Sequence, residues 1–193
     1  MVKEEKKMDR LAIFFGTGYE EIEALTVVDI LRRAGVEIKM VSITGQRQVT
    51  GSHGICVEMD QLLEETDFSQ LTGIVLPGGM PGTKNLEACE ALMEQVDNFV
   101  KEQRLVAAIC AAPSILGHRG HLQGKNACIF PGMEEHLKGA KVVMDMPAVA
   151  DGRIITGRGM GAAIPFGLKI QELLLGRDSA EEMAERIVFK GVF

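Results

Sequence analysis

Four short apolar runs, each giving way to small residues, constrain this chain most. They are "LAIFF" (11–15), "GIVL" (73–76), "LVAAI" (105–109) and "RIIT" (153–156). They are followed by "GTGYEEIE", "PGGMPG", "CAAPS" and "GRGMG". A run that is apolar at every position, as Leu105 to Ile109 is, suits a parallel strand covered on both faces. Between these runs the spacing predicts helices at about 20–34, once or twice within 83–103, and at 113–118, 162–175 and 179–188. Gly35 stands where a helix C-terminal glycine belongs. Further strands are predicted at 36–43, 127–130 and 141–144. Hairpins are predicted at 48–60 and at 148–157, the second around the Asp151-Gly152 pair. Strands alternating with helices indicate an α/β fold with a mainly parallel central sheet flanked by helices. With 193 residues and no internal repeat or linker, the reading is one domain over 10–193 behind a charged leader at 1–9.

Charge and cysteine usage exclude several classes of function. A net charge of -6 argues against a nucleic-acid partner, which wants a basic face. No apolar run is long enough to span a membrane, so no membrane partner is expected. The start, "MVKEEKKMDR", lacks the apolar core of a secretory signal, which makes the cytoplasm the expected location. The four cysteines, Cys56, Cys89, Cys110 and Cys128, form no C-x-x-C pair, and in a reducing compartment each stands alone. His118 and His121 have no carboxylate or cysteine at ligand spacing, so surface or loop roles are expected and no metal. "PGGMPG" lacks the Lys-Ser/Thr of a phosphate loop, and "GTGYEE" lacks the last glycine of a dinucleotide fingerprint, so no cofactor is expected.

Ligands of open parallel sheets sit beyond the carboxyl ends of the strands. Four loops of this chain meet on that rim, and Cys110 is the cysteine among them. Its neighbours Ala107, Ala108, Ala111 and Ala112 are small enough for a strand to turn abruptly into a helix and expose the thiol. Amides at the helix start would then favour a thiolate and lower its pKa. The alternative is an Ala/Cys-rich strand end that only packs, and Cys56, Cys89 and Cys128 are read that way. Glu23 shares a helical stripe with Val27, Ile30 and Ala34, so it faces inward, whereas Glu21 lies nearly opposite and is expected in solvent. A buried carboxyl would hold its proton and donate it in a hydrogen bond; the alternative is a carboxylate that caps the helix or reaches water. Gly78 and Gly79 could present amides to a developing oxyanion, or form a tight turn and nothing more. His53, in the bend "GSHG", is placed where it could reach a neighbouring subunit.

The segments "IFFGTGYEEIEALTVVDILRRAG", "IVLPGGMPGTKNL", "AAICAAPSIL" and "ITGRGMG", in this order, resemble the ThiJ/PfpI superfamily, and within it the DJ-one branch. The resemblance runs from about Leu11 to Leu175. It implies a flavodoxin-like sandwich, a homodimer and a small reactive carbonyl substrate. It implies Cys110 as the nucleophile on a strained elbow, a protonated Glu23 touching it, and an oxyanion hole from the amides of Gly79 and Ala111. Gly78, His53 and Gly159 would complete the pocket. Three positions depart from relatives: Ala111 stands where the protease-like branch has histidine, Phe130 where an animal member has histidine, and His53 where partner-chain arginines occur. General acid/base work would then rest on Glu23. The activity implied is cofactor-independent conversion of 2-oxoaldehydes such as methylglyoxal to 2-hydroxy acids, or the related deglycase repair of glycation adducts. The alternative is a redox sensor or chaperone acting through oxidation of Cys110.

Overall fold

The computed structural model describes residues 9–193. Residues 1–8 of the charged leader lie outside the described residues. In chain order the elements are β1 (Arg10–Phe15), α1 (Glu21–Arg33), β2 (Glu37–Ser42), β3 (Gln48–Thr50), β4 (Cys56–Glu58), β5 (Gln61–Leu62) and β6 (Gly73–Leu76). They continue with α2 (Gly82–Glu87), α3 (Glu90–Lys101), β7 (Leu105–Ile109), α4 (Pro113–His118), β8 (Asn126–Ala127) and β9 (Lys141–Val142). The chain closes with β10 (Ala148–Asp151), β11 (Ile154–Gly157), α5 (Ala163–Leu175) and α6 (Arg177–Arg186).

Seven strands form the central sheet in the order β10, β11, β7, β6, β1, β2, β5. Every neighbouring pair is parallel except β10 with β11. β6, β7 and, beyond Arg10, β1 are apolar because helices cover both faces, and alternate residues go to opposite sides. Leu11, Ile13 and Phe15 pack with Val27 and Leu31 of α1 and with Phe166 and Ile170 of α5. Ala12 and Phe14 pack on the other face with Val96 and Phe99 of α3 and with Ile115 and Leu116 of α4. Each such fully buried large side chain contributes roughly 1.5–3 kcal/mol. The register pairs Ile13 with Val75, Val75 with Ala107 and Gly157 with Ile109. Those pairings bring the carboxyl ends of β1, β6, β7 and β11 to one rim.

Two strand expectations shrink. The segment 127–130 keeps only Ala127 in β8 and the segment 141–144 keeps only Lys141 and Val142 in β9, and the two pair in a separate two-stranded sheet. Beyond Ala127 the Cys128 amide donates to the Thr156 hydroxyl at 2.9 Å and the Phe130 amide donates to the Cys110 carbonyl at 2.9 Å. The segment's donors are thus spent on the rim rather than on a ladder. β5 has two residues and no readable period, and the sequence gives no sign of it.

Candidate active site

Cys110 follows β7 with φ +64°, the left-handed region that costs a non-glycine residue strain. Its neighbours lock that geometry. The Cys110 amide donates to the Gly157 carbonyl at 2.9 Å, and α4 begins directly with Pro113. Ala107, Ala108 and Ala112 are fully enclosed and Ala111 nearly so, which leaves no space for larger residues around the turn. The thiol is part-buried, and the amides of Ala111 and Gly79 are directed at it. Gly79 has φ +91°, and a Cβ there would collide with the backbone nitrogen of Glu20. At Gly78 a Cβ would lie 2.5 Å from Glu23 Oε2 and 2.6 Å from Cys110 Cβ, so only glycine lets these two side chains approach.

Glu23 sits in the first turn of α1 and is 1% exposed. Its Oε2 accepts the Gly78 amide at 3.0 Å, and its Oε1 has no hydrogen-bond partner. Burial raises the carboxyl to about 7, with help from the charge of Glu20 and against the pull of Cys110 and the Gly78 amide. Burial also pushes the Cys110 thiol up to about 12, and the charge and contact of the Glu23 carboxylate add to that, while the Ala111 and Gly79 amides oppose it. The structure corrects the expectation of a lowered thiol: burial is the largest cause of the rise and ionised Glu23 adds to it. Once Glu23 holds the proton its negative charge is gone and its O–H can donate toward sulfur, which removes its share of the rise and leaves that of burial. The two groups thus act as one pair competing for a proton.

Glu21 corrects the sequence reading. It is 4% exposed rather than solvated, because the 52–55 turn closes over it. Its carboxylate accepts the His53 amide at 2.8 Å, the Ile55 amide at 3.5 Å and the Ser52 hydroxyl at 3.2 Å, and it meets His53 Nδ1 at 3.1 Å. Burial opposes ionisation, but the bonds from the His53 side chain and from the backbone outweigh it and bring Glu21 down to about 2. The same contact, with the charges of Glu20 and Glu21, raises His53. His53 is consequently engaged with Glu21 in its own chain, not with Cys110. Glu20, Glu21 and His53 are the one group of three potential metal ligands with converging donor atoms among the described residues, within 4.8 Å of one another. His118 and His121 do find carboxylates, Glu87 at 2.7 Å and Asp97 at 2.6 Å, contributed by α2 and α3.

A cleft of 420 Å³ opens beside the thiol, lined by Phe130, Pro131, Pro147, Arg158, Gly159 and Met160 among others. Gly159 is the shared wall, since a Cβ there would stand 3.3 Å from Phe130 Cδ2 and 3.9 Å from Cys110 Sγ. A larger cavity of 520 Å³ includes Asp9, Thr72, Arg104 and Arg153, residues at the opposite ends of the strands, and has no cysteine or histidine in its lining. The sequence reading of "GRGMG" singles out its glycines and not Arg158. A charged residue between glycines at a strand end was the available signal. No described helix is long and apolar enough to cross a membrane.

Known proteins are similar to this chain in sequence and fold. The model of the DJ-1/PfpI family matches residues 9–173. Protein DJ-1 homolog B of Arabidopsis thaliana is 36% identical over 174 residues, 90% of this chain and 40% of that protein, so the chain spans less than half of it. The glutathione-independent glyoxalase DJR-1.2 of Caenorhabditis elegans is 29% identical over 85% of this chain and 87% of its own length. Among solved structures, a DJ-1 superfamily protein from Salmonella typhimurium, crystallised as a cysteine-to-alanine variant, superposes with a TM-score of 0.89 at 31% identity. The match covers 95% of this chain and all of that one.

Proposed function

The chain belongs to the DJ-1/PfpI family, and on that premise we propose that it converts small 2-oxoaldehydes to 2-hydroxy acids with Cys110 as nucleophile and no cofactor. The observation that carries this reading is the buried Glu23 carboxyl, raised to about 7 and set against a thiol on a strained turn. A carboxyl that titrates near neutrality can both give and take a proton at working pH. The glyoxalase among the relatives supports the same reaction type.

In this reading Glu23 takes the thiol proton as the Cys110 sulfur adds to the aldehyde carbon, and it passes that proton to the developing oxyanion held by the amides of Gly79 and Ala111, which completes a neutral hemithioacetal and leaves Glu23 ionised. Ionised Glu23 takes the proton from the former aldehyde carbon, which gives an enediolate, and the hydroxyl proton of that carbon moves to the former ketone oxygen. It returns a proton to the neighbouring carbon, which becomes the hydroxyl-bearing centre of a thioester. Water then releases the 2-hydroxy acid and restores the thiol. The aldehyde carbon is oxidised and the ketone carbon reduced, so no external oxidant enters. Deglycase action would apply the same nucleophile to an early glycation adduct. The test is proton NMR of methylglyoxal with the purified protein, where lactate should accumulate with the wild type and not with Cys110→Ala. Loss of methylglyoxal without lactate would contradict the reading.

A second reading has one observation in its favour. The part-buried thiol faces two amides, which would also hold the oxygens of a sulfinate, so Cys110 could act as a redox sensor. Limited peroxide should then oxidise Cys110 before Cys56, Cys89 and Cys128, as read by mass spectrometry. The assembly proposed is a homodimer with the β3–β4 hairpin and α1 near its interface. Light scattering should give twice the 21.0 kDa of the chain, and a monomer mass would contradict it.

A further inference from the structure

The cleft beside Cys110 holds a cation that makes no direct ion pair among the described residues, although the Glu134 carboxylate, outside the lining, feels its charge. Arg158 lines it, yet its side chain takes part in no hydrogen bond and no ion pair among the described residues. Its Nε is shielded from water and unpartnered. Arg104, the other arginine with an unpartnered Nε, is different, because its guanidinium donates to the carbonyls of Phe68 and Leu71 and pairs with Glu102. The Arg158 side chain is only part-buried, but an N–H shielded from water and left unmatched, as its Nε is, carries a cost, because buried polar groups usually have a partner. The rest of the wall is Phe130, Pro131, Pro147 and Met160, with no carboxylate among the lining residues. An apolar slot with one unmatched fork of N–H donors suits a small molecule with a carbon skeleton and a terminal carboxylate or phosphate.

From this we infer that Arg158 is the specificity-determining residue of the site, binding the anionic end of a 2-oxoaldehyde whose aldehyde carbon lies at Cys110. Gly159 sets the reach, since it borders both the cleft and the sulfur. The inference rests on the proposed 2-oxoaldehyde reaction and adds the substrate class. A carboxylate-bearing member, 4,5-dioxopentanoate, would give 2-hydroxyglutarate by the steps above, with water as the only co-reactant.

The experiment compares kcat/KM for neutral methylglyoxal, for 4,5-dioxopentanoate and for hydroxypyruvaldehyde phosphate in the wild type, Arg158→Gln and Arg158→Lys. The wild type should favour one of the anionic substrates, and whichever is favoured distinguishes carboxylate from phosphate. In Arg158→Gln the anionic-to-neutral ratio should fall about 10- to 100-fold, the size of a charged hydrogen bond. Arg158→Lys should restore part of it. A ratio unmoved by Arg158→Gln overturns the inference and leaves the reaction standing. If no 2-oxoaldehyde is turned over, the reaction fails, and binding decides the inference separately. NMR titration of Cys110→Ala with 2-hydroxyglutarate should then show binding that weakens when Arg158→Gln is added, and equal affinity in the two variants would overturn it.

Discussion

Glu21 and Glu23 stand two residues apart in the first turn of α1, both nearly enclosed, and their environments pull their chemistry in opposite directions. On one side, Glu21 meets the 52–55 turn and is held at about 2 by four partners. On the other, Glu23 meets Cys110 and Gly78 with one oxygen unmatched, and is raised to about 7. Both are screened from solvent, but Glu23 lies much deeper in the protein whereas Glu21 sits just beneath the 52–55 turn. Depth and the number of donors aimed at the carboxylate together decide the charge. The first side works as structure, tying a turn to a helix. The second is left under-satisfied where a proton can move.

Substitutions can break this contrast. Cys110→Ser should abolish turnover, because a hydroxyl with no histidine base beside it is a poor nucleophile; lactate production by NMR checks it. Glu23→Gln should keep the fold and lose at least about 100-fold in kcat, since the amide can donate but cannot shuttle a proton. Turnover at the wild-type rate would remove Glu23 from the mechanism. Gly78→Ala should separate Glu23 from Cys110, with a loss of activity and a destabilisation of roughly 1–3 kcal/mol in urea unfolding, because the added Cβ meets both side chains. Glu21→Gln should cost about 1–3 kcal/mol at neutral pH by leaving donors of the 52–55 turn unmatched.

The pH dependence of stability sharpens the same contrast because the two signs differ. Glu21 is lowered in the folded state, so its stabilisation is present above the ordinary 4.5 and is lost as pH falls toward about 2. Glu23 is raised, so the folded state binds its proton more tightly. Its contribution is complete below 4.5 and is lost as pH rises through about 7. Urea midpoints measured across this range should lose the acid-side slope in Glu21→Gln and the slope between 4.5 and about 7 in Glu23→Gln.

The sheet was legible because its signal is local. The buried runs that became β1, β6, β7 and β11 need only apolar residues in sequence, and the placement of Cys110 at the rim follows from their order. The inward direction of Glu23 was legible for the same reason, through its stripe with Val27 and Ile30. The burial of Glu21 was not, because the turn that covers it lies more than 30 residues away and helical spacing contains no trace of it. The carboxylates of His118 and His121 were hidden likewise, since Glu87 and Asp97 arrive from α2 and α3. The unmatched guanidinium of Arg158 depends on what the fold fails to place beside it, which periodicity does not report.

The account turns on the state of one proton. Carbon-13 NMR of the Glu23 side-chain carboxyl, assigned by its loss in Glu23→Gln and followed against pH in the reduced protein, measures it directly. The account predicts a carboxyl that titrates near 7 and responds to replacement of Cys110 by alanine. A Glu23 that titrates near the ordinary 4.5, unaffected by Cys110, would contradict it.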